Sequence, residues 1–349
     1  MRQHTGSTRR VISSWKDVRM SFWSGRKVLV TGGAGFIGSH LVEMLVAAGA
    51  RVRVVGRLRK GSLDNLAAVR QAIELMAGDI SQLDFARQAV HGQEVVLHLG
   101  AKLTGIGYNV AHSGDMFYQN AIVNLQMMEA ARLEDVQRYL CVSSACVYRR
   151  AAPAPTGEAE GFIEDPEPTN FGYGWAKRLA EVQARAYASE YPMQIAIVRP
   201  YNAYGPRDDF DWATSHVIPA TIRKVNELDK VVVWGDGSQL RTFVHARDIA
   251  RGMMLAVERH PQPDPINLGS DELISIRDLV HIIRRLSGRD APIEFDASKP
   301  AGQAVRRADL SKARQLWGYE AQVSLEDGLA ETIAWYRQRF QAAAPGRVA

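Results

Sequence analysis

The sequence predicts an α/β protein: a doubly wound parallel sheet followed by a smaller C-terminal α/β lobe. Three observations carry that expectation. The β-branched run Lys27–Val30 leads directly into a glycine-rich turn and then the helical spacing of Phe36–Ala48. Strand-like and helix-like segments then alternate as far as Arg199, the pattern of parallel strands joined by right-handed helical crossovers. Beyond Pro206 the segments shorten, as expected for a second lobe closing over the carboxyl edge of the sheet, where open α/β sheets bind ligands.

Taken in order, residues 1–25 read as a polar, basic N-terminal extension. Lys27–Val30, Arg51–Val55, Glu94–Leu99, Arg138–Ser143 and Gln194–Arg199 are the expected strands of the main sheet. Phe36–Ala48 and Asp115–Leu133 are expected helices between them. In the second lobe the pattern predicts a helix over Val217–Leu228 and short strands at Val231–Trp234, Thr242–Val244 and Ile266–Leu268. The corresponding domains are 26–205, with return segments near 240–265, and 206–340, with 341–349 as a tail.

Composition narrows the class. A chain of 349 residues with 46% apolar content can bury a sizeable core in two lobes. Two cysteines build no disulfide framework, so a reducing compartment, the cytoplasm, is expected. No apolar run approaches the roughly 20 residues of a membrane span. The net charge of +5 collects in the basic tail (Arg9, Arg10, Lys16, Arg19) and in Arg51, Arg53, Arg57, Arg59 and Lys60. No base-reading motif or aromatic-interleaved stripe accompanies these charges, so nucleic acid is not the expected partner.

The turn after the first strand is Gly32-Gly-Ala-Gly35-Phe36-Ile37-Gly38. Gly32 permits a tight turn, Gly35 lets the backbone approach a pyrophosphate, and Gly38 lets the helix pack closely on the strand. The helix N-terminus offers free N–H groups to the anion. An acidic residue at the end of the second strand would hold the ribose of NAD. Gly56 stands there instead, followed by Arg57, and a guanidinium pairs with a 2′-phosphate that a carboxylate would repel. NADP is therefore expected, with NAD left open.

The second motif is Tyr173-Gly-Trp-Ala-Lys177. Its i, i+4 spacing puts phenol and ammonium on one helix face. The lysine ammonium, helped by the positive nicotinamide, is expected to lower the phenol's pKa, so that Tyr173 can exchange a proton with a substrate hydroxyl. Ser144, at the end of the preceding strand, is placed to hydrogen-bond the developing oxyanion.

In this order the motifs resemble those of the extended short-chain dehydrogenases/reductases, the nucleotide-sugar epimerase/dehydratase family, from Lys27 to about Arg337. Ser143-Ser-Ala-Cys-Val-Tyr148, Trp234-Gly-Asp-Gly-Ser-Gln-Leu-Arg-Thr-Phe243 and Asn267-Leu-Gly-Ser-Asp-Glu272 resemble the GDP-mannose 3,5-epimerase subfamily. Tyr204-Gly-Pro-Arg-Asp-Asp-Phe210 and Ser215-His-Val-Ile-Pro-Ala220 resemble the GDP-L-fucose synthases, which epimerise and then reduce a 4-keto sugar. Departures from both patterns exist: residues 206–215 contain no lysine, and Arg149 stands where a proline usually follows the Cys-x-Tyr turn.

The resemblance implies a Rossmann-like fold, a nicotinamide cofactor and a nucleotide-sugar substrate. Cys146 and His216 take the acid/base positions of the epimerising relatives, beside Ser144, Tyr173 and Lys177. Phe36, Ile37, Asp79 and Ile80 fall at cofactor contacts. Asn202, Lys224, Arg241 and Arg306 fall at substrate contacts, with the arginines suited to a diphosphate. A guanine nucleotide is implied, with dTDP and UDP open, and a homodimer through two long helices is usual in the family. The alternatives on the same scaffold are 4-epimerase, dehydratase or decarboxylase. Dehydratases carry an Asp-Glu pair where Ala145-Cys146 stand here. A non-catalytic NADP sensor is the alternative of another class; such proteins lose the tyrosine or lysine that this chain keeps.

Overall fold

The computed structural model describes residues 20–58, 60–299 and 303–341. The basic tail, Arg59 and residues 342–349 lie outside the described residues. Among the described residues fourteen strands run in chain order. The first six are β1 (Lys27–Thr31), β2 (Arg51–Gly56), β3 (Ile73–Ala77), β4 (Val95–His98), β5 (Arg138–Val142) and β6 (Gln194–Pro200). Then come β7 (Ala203–Tyr204), β8 (Val231–Trp234), β9 (Leu240–Thr242) and β10 (Val244–His245). The last are β11 (Ile266–Leu268), β12 (Leu273–Ser275), β13 (Ile293–Asp296) and β14 (Val305–Arg306). The longer helices are α1 (Phe36–Ala47), α2 (Leu83–Val90), α3 (Ser113–Leu133), α4 (Phe171–Glu190), α5 (Val217–Glu227), α6 (Ala246–Arg259), α7 (Ile276–Leu286) and α8 (Leu325–Tyr336).

Seven strands form one parallel sheet in the order β11-β6-β5-β4-β1-β2-β3. Both faces are covered, which is why its strands read as continuous apolar runs. Val28, Val30, Val52, Val54, Val95, Leu97, Leu140, Ala196 and Val198 point into one core with α1 and α6. Their neighbours Leu29, Val55, Val96, Tyr139, Cys141, Ile195 and Ile197 point into the other, with α2, α3 and α4. A third core is built from α5, α7, α8 and β8. Among the described residues no helix is long and apolar enough to cross a membrane.

Two expectations are corrected, and one strand was not read from the sequence. Ile266–Leu268 was expected in the second lobe, but as β11 it pairs with β6 and becomes the seventh strand of the main sheet. Thr242–Val244 is two strands rather than one: β9 pairs with β12 and β14, whereas β10 pairs with β7. The edge strand β3 has half-exposed residues and therefore too weak an apolar pattern to be read from sequence.

The carboxyl ends of β1 to β6 all open onto one edge of the sheet, so every motif above that follows a main-sheet strand arrives at that edge.

Candidate active site

The glycine turn is shaped by two close approaches. Gly32 has φ +67, a conformation that L side chains rarely adopt, and its N–H donates to Val55 O (3.2 Å). A Cβ on Gly38 would stand 2.2 Å from Gly32 O and 2.8 Å from Gly33 Cα. α1 can therefore start directly against the turn. Gly35 caps it without any side-chain hydrogen bond, and the first intrahelical bond is Ser39 N–H to Gly35 O (3.0 Å). This leaves the N–H groups of Phe36, Ile37 and Gly38 facing the open edge, a cradle that fits a pyrophosphate.

At the next corner β2 ends in Gly56, and Gly78 N–H donates to Gly56 O (3.0 Å). Arg57 is exposed there. The Asp79 carboxyl is held below its usual range by hydrogen bonds from the backbone and hydroxyl of Ser81, and more weakly by the Arg57 charge. Arg57 and Asp79 thus share the corner where an adenosine ribose would lie, and Ile80 is buried beside them.

β4 ends in His98, a residue that the sequence motifs did not mark. Its Nδ1 pairs with Thr31 Oγ1 (2.8 Å) and its Nε2 with Asn124 Oδ1 (3.1 Å). Burial pushes it down to about 3, so it is neutral and acts as a bolt between β1, β4 and α3.

The proton-transfer groups meet at the end of β5. Ser144 caps the short helical turn Ala145–Val147, its Oγ accepting from Cys146 N–H (3.1 Å). Tyr173 lies beside Ser144 and Cys146. Gly174 makes this meeting possible, because a Cβ there would lie 2.5 Å from Cys146 O. Lys177 donates to Val142 O (2.7 Å), with its Nζ 5.6 Å from the Tyr173 ring centre. Burial lowers the ammonium to about 8.

The phenol differs from expectation. Burial, with the neighbouring Cys146, raises the Tyr173 pKa well above its ordinary value, and Lys177 does not lower it. The lysine's strongest contact is the Val142 carbonyl, so a depressed phenol pKa is not a property of the protein alone.

A second group of side chains comes from segments after β6. His216 stands at the N-terminal cap position of α5 without a side-chain cap bond and is exposed, yet the protein packed around it lowers its pKa, with Asp209 opposing and Arg306 reinforcing the shift. Arg306 and Arg241 are register partners in the β9/β14 pair. Burial and the Arg306 charge lower Arg241, with Glu167 opposing. Two adjacent guanidinium groups suit a diphosphate. Asn202 donates its amide to Thr242 O (2.9 Å), and Lys224 donates to Val232 O (3.0 Å). These two side chains are tied to backbone carbonyls.

The loop carrying His216 is tightly held. Pro206 O meets His40 Nε2 (3.0 Å), Arg207 donates to Glu43 (2.6 Å), and Phe210 stacks at 4.8 Å on Tyr336. Asp208 is unusual: its Oδ2 is fully covered and without a partner among the described residues, and burial pushes the carboxyl up to about 8. The same loop touches the segment after β4, since a Cβ on Gly105 would lie 2.8 Å from Ala213 O.

Sequence reasoning also missed Arg199 and Glu181. They form a buried two-bond ion pair (Nε–Oε1 2.8 Å, Nη2–Oε2 2.7 Å), and Ser143 donates to the same carboxylate. The spacing of Glu181 four residues after Lys177 was visible; which arginine would meet it was not.

The family model described as the NAD dependent epimerase/dehydratase family matches residues 28–269. The chain is 30% identical to dTDP-4-dehydro-6-deoxy-D-allose reductase of a Streptomyces species over 319 residues, covering 90% of this chain and 97% of the relative. It is 30% identical to GDP-L-fucose synthase of Escherichia coli K12 over 327 residues, covering 90% and 97%. The fold resembles that of UDP-glucose 4-epimerase from Thermotoga maritima, with a TM-score of 0.80, 28% identity and coverage of 89% and 99%. With the glycine cradle, the serine–tyrosine–lysine cluster and a match over most of its length, the chain belongs to the NAD dependent epimerase/dehydratase family.

Proposed function

We propose that this enzyme is a nucleotide-sugar epimerase or epimerase/4-keto reductase that works through a 4-keto hexose and prefers NADP. The observation that carries the reading is Cys146 at the same strand end as Ser144, with Tyr173 beside both and Lys177 held on the Val142 carbonyl. Acid/base chemistry next to a carbonyl needs such a group beside the donors that hold the carbonyl oxygen.

Gly32, Gly35 and the free N–H groups of Phe36, Ile37 and Gly38 would hold the cofactor pyrophosphate, with Arg57 at the 2′-phosphate and Asp79 and Ile80 at the adenine side. When bound, the nicotinamide exchanges a hydride with the sugar's C4. Ser144 and Tyr173 hold the C4 oxygen. Cys146 and His216 remove the adjacent proton from one face and return one to the other, while the two hydroxyls stabilise the enolate. The lowered pKa of His216 leaves its imidazole neutral and able to accept a proton. Tyr173 then protonates the C4 oxygen, and the Lys177 ammonium steadies the phenolate left behind. Arg241 and Arg306 bind the diphosphate, with Asn202 and Lys224 shaping the floor around it. Exposed Phe117, Tyr118 and Val182 on α3 and α4 would meet a second copy in a homodimer.

The test is incubation with GDP-4-keto-6-deoxymannose and its dTDP analogue, with NADPH, in deuterated water. Solvent deuterium at C3 or C5 reports epimerisation, and NADPH oxidation reports reduction. Cys146→Ser and His216→Asn should each suppress the exchange yet spare reduction of a sugar already in the product configuration. Exchange at the wild-type rate in both variants would leave a simple reductase. The likeness to the Thermotoga enzyme favours one second reading, a UDP-sugar 4-epimerase. Interconversion of UDP-glucose and UDP-galactose, without deuterium uptake or net NADPH consumption, would establish it.

A further inference from the structure

Glu181 has no part in the chemistry above, yet it lies on α4 one turn beyond Lys177 and two beyond Tyr173, on the same helix face. Its side chain is fully buried. Arg199 occupies both carboxylate oxygens (2.8 and 2.7 Å), and the Ser143 hydroxyl donates to one of them. Arg199 is held in turn by Glu158 O (2.7 Å) and the Tyr148 hydroxyl (3.1 Å).

We propose that Glu181 is a positioning residue of the proton relay: countered by Arg199, it anchors the Ser143-Ser144 strand end and supplies the negative charge that keeps Lys177 an ammonium. The proposal rests on the Tyr173–Lys177 reading of the site. A carboxylate one turn from a buried ammonium would ordinarily capture it. Because the Arg199 fork fills both oxygens, Lys177 instead donates to Val142 O and stays beside the Tyr173 ring.

The groups facing Lys177 are His98 on β4, Cys141 on β5, Cys146 in the following turn, and Tyr173 and Glu181 on its own helix. His98 is neutral, and burial pushes the Cys141 thiol up to about 12, so neither supplies a charge near neutral pH. Burial lowers the lysine, while Cys141, Cys146 and then Glu181 act to raise it; Glu181 is the carboxylate among them.

The test is a pH titration of the full chain labelled with ¹³C at lysine Cε. Its nine lysines give few signals, and the one lost in Lys177→Arg is Lys177. In the wild type that signal should titrate near pH 8. In Glu181→Gln, which keeps an oxygen for Ser143, the midpoint should fall by about one pH unit, the scale of one partly countered charge at this range. A lone buried guanidinium can unfold that variant, so the double variant Glu181→Gln/Arg199→Met, which removes both charges, should show a smaller fall in the same direction. Arg199→Lys, which preserves the charge pair, should keep the wild-type midpoint. An unchanged midpoint in folded Glu181→Gln or in the double variant would overturn the proposal and leave Glu181 as a strut alone. The titration needs no substrate. A wild type inactive on keto sugars would therefore remove the proposed function and leave this result standing, and the reverse also holds.

Discussion

Replacing Gly38 by Ala tests whether the glycine cradle does what its shape implies. The new Cβ would sit 2.2 Å from Gly32 O and 2.9 Å from Gly32 C, whereas real contacts of this kind essentially never fall below 3.0 Å. Both offending atoms are backbone, so no side chain can rotate away. The turn and the start of α1 must part by close to an ångström. On the core side, Leu41, Val42 and Leu45 of α1 are fully buried against β1 and its neighbours. Overpacking of this kind costs about 1–3 kcal/mol. On the site side, the free N–H groups at residues 36–38 lose their aim, and a misplacement of ~1 Å can cost as much as 10²-fold. Isothermal titration with NADPH should show affinity weakened at least about tenfold, equivalent to ~1.4 kcal/mol, with a melting temperature several degrees lower by circular dichroism. Gly114→Ala is the control: open space surrounds that position inside α3, and the variant should bind as wild type and melt no lower. If Gly38→Ala binds NADPH and melts like the wild type, the cradle reading is wrong.

Three further outcomes are expected. Tyr173→Phe keeps the ring but removes the proton, so turnover should fall by about 10²–10⁴-fold with cofactor affinity intact; more than about a hundredth of activity remaining would exclude the relay. Arg57→Asp should reverse the preference for NADPH over NADH in a binding titration, since a carboxylate repels a 2′-phosphate; an unchanged ratio would place that phosphate elsewhere. Asp208 has a folded pKa raised to about 8 from the 3.8 of an unfolded chain, so its ionisation destabilises the fold increasingly as pH rises through that window. Asp208→Asn should therefore raise stability by about 1–3 kcal/mol at pH 8 and by less at pH 5, and a gain equal at both pH values would refute the buried acid.

The placement of these groups shows why local pattern reached some of them and not others. The glycine turn and the Tyr173–Lys177 pair are local: each depends on residues within one turn or one helix, and their spacing survives in the chain as written. His98 and Glu181 carry no such mark. A histidine at a strand end and a glutamate on a helix become a bolt and an anchor only because Thr31, Asn124, Arg199 and Ser143 arrive from distant segments. Gly174 is an intermediate case: it lies inside a legible motif, but its reason for being glycine is the Cys146 carbonyl, 28 positions earlier in the chain.

By itself the sequence determined the alternation of strands and helices, the dinucleotide turn and the tyrosine–lysine helix face, because periodicity and backbone permissiveness are written residue by residue. Only the tertiary structure decided that β11 joins the main sheet, that β9 and β10 part company at Phe243, and that Arg241 and Arg306 stand side by side. Short strands carry too few side chains to specify a partner. Their pairing is settled by which backbone edges and buried charges remain to be satisfied once the larger cores have packed.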